Sequence, residues 1–157
     1  MTARLAHIVR HPIKAHGRED LASVSLSAGA CLPWDRHWAV AHAVSKFDPG
    51  TRDWARCVNF QRGARTPALM AIAARLDEGA GLLTLTHPLR PPLTFAPDDP
   101  AQAARFIDWL APISPQGDFR PVALVSSPGR GMTDSPFPSV SLAGLASNAA
   151  LAAHLGR

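Results

Sequence analysis

His37-Trp38-Ala39-Val40-Ala41-His42-Ala43-Val44 is the clearest alternation in the chain. In an extended backbone Trp38, Val40, His42 and Val44 share one face, and His37, Ala39, Ala41 and Ala43 the other. Upstream, Leu5 to His11 also alternates and is closed by Pro12, which cannot donate to a central ladder. A loop over Lys14 to Asp20 leads to a second candidate strand, Leu21 to Leu26, and Gly29 marks the next turn. Downstream, Ser45 to Thr66 reads as one long connection, with a turn at Asp48-Pro49-Gly50 and four arginines: Arg52, Arg56, Arg62 and Arg65. A loop of about twenty residues is uncommon in a compact domain and is more often functional. Leu69 to Leu76 and Leu82 to Thr86 read as a hairpin joined through Asp77 to Gly81, although the alanines of the first run would also suit a helix.

Prolines 88, 91, 92, 97 and 100 mark a weak boundary between a first region, 1–97, and a second, 98–157. Asp98-Asp99-Pro100 is a helix start, and that helix runs to about Leu110, burying Phe106, Ile107 and Leu110. Pro121 to Ser126 is a further strand, and Pro128 to Gly131 a turn. A second helix from Ser141 carries Leu142, Leu145, Leu151 and Leu155, with Gly156 as its C-cap. Strands come mostly early and helices late. The fold class is therefore α+β, mainly β, with a barrel-like sheet and about two helices in the C-terminal half.

The 157 residues are 46% hydrophobic and 18% charged, which argues against wholesale disorder. No apolar run approaches the ~20 residues that span a bilayer, and the N-terminus lacks the apolar core of a secretory signal, so no membrane association is expected. Two isolated cysteines, Cys31 and Cys57, suit a reducing, cytoplasmic compartment. Residues 1–65 hold ten basic and five acidic side chains, while residues 66–157 hold six and seven. Fourteen of the sixteen basic residues are Arg, which suits forked binding of phosphate or carboxylate, although GC-rich coding gives the same excess.

Several chemistries lack their signatures. His7 and His11 would share a strand face but lie ~13 Å apart at ~3.3 Å per residue, too far for one zinc ion. There is no H-E-x-x-H, C-x-x-C, G-x-S-x-G, Walker A or G-x-G-x-x-G. Gly129-Arg130-Gly131 suits a plain turn better than an anion nest. The basic residues are scattered over separate elements and Tyr is absent, so nucleic acid is not an expected partner. Lys14 follows one Pro-terminated strand and Arg36 precedes another. If those strands are neighbours, the two cations converge on one anion; otherwise Arg36 pairs with Asp35 and Lys14 is solvated.

His11-Pro12-Ile13-Lys14, Trp34-Asp35-Arg36-His37-Trp38-Ala39-Val40 and Asp134-Ser135-Pro136-Phe137-Pro138-Ser139-Val140-Ser141-Leu142, the last followed by Leu145-Ala146-Ser147, together resemble the MOSC proteins. These are related to the C-terminal domain of molybdenum cofactor sulfurase and to the mitochondrial amidoxime-reducing component. The resemblance runs in order along nearly the whole chain. It implies an N-terminal β-barrel over 1–97 and the start of a MOSC domain over 98–157. It also implies a bacterial-type oxidoreductase of N-hydroxylated compounds, or a sulfur-transfer protein, that binds the molybdenum cofactor (molybdopterin) and works with a redox partner protein. Molybdenum-ion and pyridoxal phosphate binding come with the same likeness. Carried over by position, Lys14 and Arg36 match the family's basic cofactor contacts, Ser135 a polar contact, and Arg56 a loop contact. The Ser45–Thr66 loop would cover or edge the site.

Two departures accompany the likeness. Ala15 stands where the family often has Ser, and no cysteine follows Cys57, whereas family members keep a late cysteine as the metal's thiolate. The chain is therefore expected to be a piece of a longer protein, with an incomplete cofactor site and no metal ligand of its own. The alternative is a non-catalytic anion-binding or interaction barrel.

Overall fold

The computed structural model describes residues 4–51, 53–127 and 130–156. Seven strands form three small antiparallel sheets. β1 (Ile8–Arg10) pairs with β2 (Glu19–Leu21), and β3 (Trp38–His42) with β7 (Pro121–Ser126). The third sheet is the meander β4 (Ala73–Asp77), β5 (Leu82–His87) and β6 (Arg90–Phe95). Single bridges join the sheets: Ile13 to Trp38 links the end of the β1 segment to β3, and Arg18 to Ala73 links the start of β2 to β4. The result is a curled strip with β7 at one end and β6 at the other.

The strip does not close through strand pairing among the described residues. Helix α1 (Pro100–Leu110) packs on both β7 and β6 and fills the gap. The physical reason lies in β6. Pro91 and Pro92 have no N–H to offer a further strand, so this is a sheet edge. Trp109 on α1 covers that edge by donating its indole N–H to the Pro91 carbonyl at 2.7 Å. The proline-rich stretch expected as a boundary is thus partly a strand, held by Leu93 and Phe95 facing the core and by the Thr84–Thr94 hydroxyl pair at 2.9 Å.

Other boundaries also differ from expectation. Residues 67–71 form a 3-10 helix started by Pro67, so the first hairpin strand begins only at Ala73. The hairpin turn itself is as expected: Asp77 Oδ1 accepts from the N–H groups of Gly79 and Ala80, a local turn device of short acidic side chains. β2 lies earlier than Leu21 to Leu26 because Glu19 is drawn in opposite Arg10. Their side chains pair at 2.7 Å with both almost fully buried, and Arg10 also reaches Glu78 at 2.6 Å.

α1 is capped by Asp99, whose carboxylate accepts from Gln102 N–H at 3.0 Å. It buries Phe106, Trp109 and Leu110, with Ile107 only partly covered. β3 is buried on both faces. Trp38 and Val40 join the main core with Leu83, Leu85, Phe95 and Phe106, while Ala39 and Ala41 pack with Phe60, Val125 and Met132. The small alanines let this second layer approach closely. The second helix, α2 (Leu145–His154), starts later than Ser141 and buries none of its residues. No helix among the described residues is long and apolar enough to cross a membrane.

Candidate functional site

The segment after β1 and the segment before β3 run side by side. Arg36 N–H donates to His11 O at 2.6 Å, Trp38 N–H to Pro12 O at 3.2 Å, and Lys14 N–H to Trp38 O at 2.8 Å. This parallel zipper draws together two cations that are 22 positions apart. Lys14 and Arg36 line one cavity of about 270 Å³, along with His11, Cys57, Arg62 and Asp134. A second cavity of about 210 Å³ shares His11 and Arg36 and is bordered by Ser139 and Ser141.

The local backbone is strained. Ala15, Trp34 and Arg36 have φ of 63°, 62° and 52°, a left-handed conformation that costs a side-chain-bearing residue about 1–2 kcal/mol. Such strain persists only where the surroundings over-determine it, and it concentrates at functional sites. Here Asp35 supplies part of the determination. Its carboxylate accepts from His11 N–H at 2.8 Å and pairs with Arg36 Nη2 at 2.5 Å. On the far side, Met132 N–H donates to Arg36 O at 2.6 Å. Gly131 permits that approach, since a Cβ there would lie 2.7 Å from the Asp35 carbonyl.

Lys14 is almost fully buried, with a side chain 5% exposed. Its ammonium donates to Met132 O at 2.9 Å and to Asp134 Oδ1 at 2.5 Å. The hydrogen bond from Lys14 holds the Asp134 carboxyl below the usual carboxylate range. Partial burial opposes that shift, and the charges of Lys14 and Arg36 add to it. Arg36 does pair with Asp35, but Lys14 is not solvated, so both sequence alternatives are partly realised. The Arg36 Nε is buried and has no hydrogen-bond partner.

The other two named residues sit differently. Ser135 is next to Asp134 but turns its hydroxyl toward Phe137 O at 3.2 Å and Ser139 Oγ at 3.4 Å, within its own turn. Arg56 is exposed, immediately before the 3-10 turn Cys57–Asn59. The long connection does edge the cavity, through Cys57, Arg62 and Gly63. Sequence reasoning did not single out Arg62 or Asp134 as site residues. Arg62 was one of four arginines in the loop, and nothing local distinguishes it. Asp134 was visible only as the first residue of the Asp-Ser-Pro-Phe block. Among the described residues no three His, Cys, Asp or Glu side chains come together as metal ligands. The Gly129-Arg130-Gly131 turn lies partly outside the described residues, at Pro128 and Gly129.

A curled β-strip with a cation-lined cavity at a strand junction defines a β-rich domain. The sequence profile of the MOSC N-terminal beta barrel domain matches residues 2–119, about three quarters of the chain, and the chain belongs to that family. No curated protein and no solved structure matches it significantly.

Proposed function

We propose that this MOSC-family chain holds the phosphate end of a molybdopterin-type cofactor in the cavity lined by Lys14, Arg36 and Arg62. The observation that carries the reading is the convergence of these three cations, from three separate segments, on one opening. The donor set suits a phosphate. Lys14 offers a point charge, while Arg36 and Arg62 offer planar forks matched to phosphate oxygens. Ser135 and Arg56, which do not line this cavity, are further contacts proposed from the family likeness.

When bound, such a group supplies two-electron redox or sulfur-carrying chemistry at its molybdenum. The chain's own residues bind and orient the organic end. Lys14 and Arg36 neutralise the phosphate, the Asp35 carboxylate holds Arg36 in place, and Cys57, Arg62 and Gly63 line one side. Reduction of N-hydroxylated compounds or sulfur transfer, with a redox partner protein, is the activity proposed for this protein.

Replacing both Lys14 and Arg36 by alanine should abolish cofactor retention. Molybdenum content measured against protein, together with pterin fluorescence, should fall to background. Unchanged molybdenum in the double variant discards the reading. Phosphate affinity without molybdenum or pterin in the unmodified protein would instead favour a plain anion-binding module.

A further inference from the structure

Lys14 and Arg36 both face the cavity, and each already has a carboxylate partner, but the two partners differ in kind. Asp35 is buried, with a side chain 7% exposed, and also accepts the His11 N–H. It is a fixed counter-ion. Asp134 is 77% exposed and, among the described residues, its carboxylate hydrogen-bonds to Lys14 alone. It sits on Lys14, a cation whose own side chain is only 5% exposed. A buried ammonium needs a negative partner, but nothing requires that partner to belong to the protein. Arg62, the third cation of the cavity, makes no ion pair among the described residues. The cavity therefore has one removable negative charge and one uncompensated positive charge.

We infer that Asp134 is a built-in stand-in for the ligand's anionic group: a phosphate enters by displacing the Asp134 carboxylate from Lys14, and Arg62 makes that exchange favourable. This rests on the anion-cavity reading above and deepens it. A carboxylate and a phosphate oxygen use the same ammonium donors, so the exchange keeps Lys14 neutralised throughout. The phosphate gains the forks of Arg36 and Arg62, which the Asp134 carboxylate does not engage in hydrogen bonds. The simpler alternative is that Lys14–Asp134 is only a structural ion pair. On that reading, loss of the carboxylate weakens the fold without strengthening anion binding.

The geometry provides a built-in reporter. The Trp54 indole N–H donates to Thr133 O at 2.8 Å, one residue before Asp134. Movement of Asp134 off Lys14 should therefore alter the Trp54 indole environment. The test is a titration of the 157-residue chain with inorganic phosphate at low salt, followed by calorimetry and by the indole signals in a 1H–15N spectrum.

Asp134→Asn should bind phosphate roughly tenfold more tightly than the unmodified chain, the scale of one charge-assisted hydrogen bond no longer competed for. Arg62→Gln should bind it roughly tenfold more weakly. In the unmodified chain phosphate should shift the Trp54 indole signal. Equal or weaker binding by Asp134→Asn, while the unmodified chain still binds phosphate, overturns the stand-in role and leaves the cavity reading intact. Absence of phosphate binding in both proteins removes the cavity reading, and the stand-in with it. Should Asp134→Asn fail to fold, the indole decides alone: saturation by phosphate with no change at Trp54 overturns the exchange.

Discussion

Gly17→Ala should lower the stability of the chain by about 3 kcal/mol, combining a left-handed backbone penalty with an overpacking penalty. Gly17 has φ of 81°, and a Cβ there would lie 2.3 Å from the Ile72 carbonyl oxygen. The obstacle is backbone, so it cannot rotate away. Gly17 is also the hinge between the Lys14 segment and β2, and its own carbonyl accepts from His11 Nδ1–H at 2.7 Å. A shift at Gly17 therefore passes directly into the residues that place Lys14. Urea unfolding should show a lower midpoint with an unchanged slope. Gly29→Ala is the control. Its φ is 73° but nothing lies within 4 Å of the added carbon, so only the backbone penalty applies. Equal losses at the two positions would mean that the close approach to Ile72 contributes nothing.

Acidification from pH 7 to pH 4 should remove about 3 kcal/mol of stability through His16 alone. His16 is fully buried, and burial pushes its pKa down from 6.5 to about 4, with the Lys14 carbonyl and the Gln61 side chain offsetting part of the cost. A carbonyl only accepts, so Nδ1 carries the proton of the neutral ring and donates to Lys14 O at 2.6 Å. The ring edge meets Phe106, with centroids 6.1 Å apart. Between pH 6.5 and 4 the unfolded chain binds a proton that the folded chain refuses, so unfolding takes up a proton and stability rises with pH. The contribution is complete above about pH 6.5 and is lost as pH falls toward 4. His16→Gln should flatten that part of the stability profile, and an undiminished slope in this variant would assign the titration to another group.

Much of the local structure is legible in residue order. The alternation around Trp38 becomes β3, Asp99-Pro100 starts α1, and the Asp77–Gly81 turn makes a hairpin. These depend on neighbours a few residues away, where backbone sterics and side-chain caps act. Misplaced boundaries trace to distant partners. Glu19 enters a strand because Arg10 is opposite, and Arg90–Phe95 is a strand despite two prolines because β5 pairs with one edge and Trp109 covers the other. The expected apolar face of the last helix meets no core, as its leucines remain exposed.

Residue order alone therefore determined the α+β character, the family likeness and the two cations worth watching, Lys14 and Arg36. Only the folded chain decided that these cations share a cavity, that Arg62 joins them there and that Asp134 caps Lys14. The reason is range. Turns and caps are governed by contacts over three or four residues, whereas the Lys14–Asp134 pair spans 120 positions and exists only once β3 and β7 have zipped the two halves together.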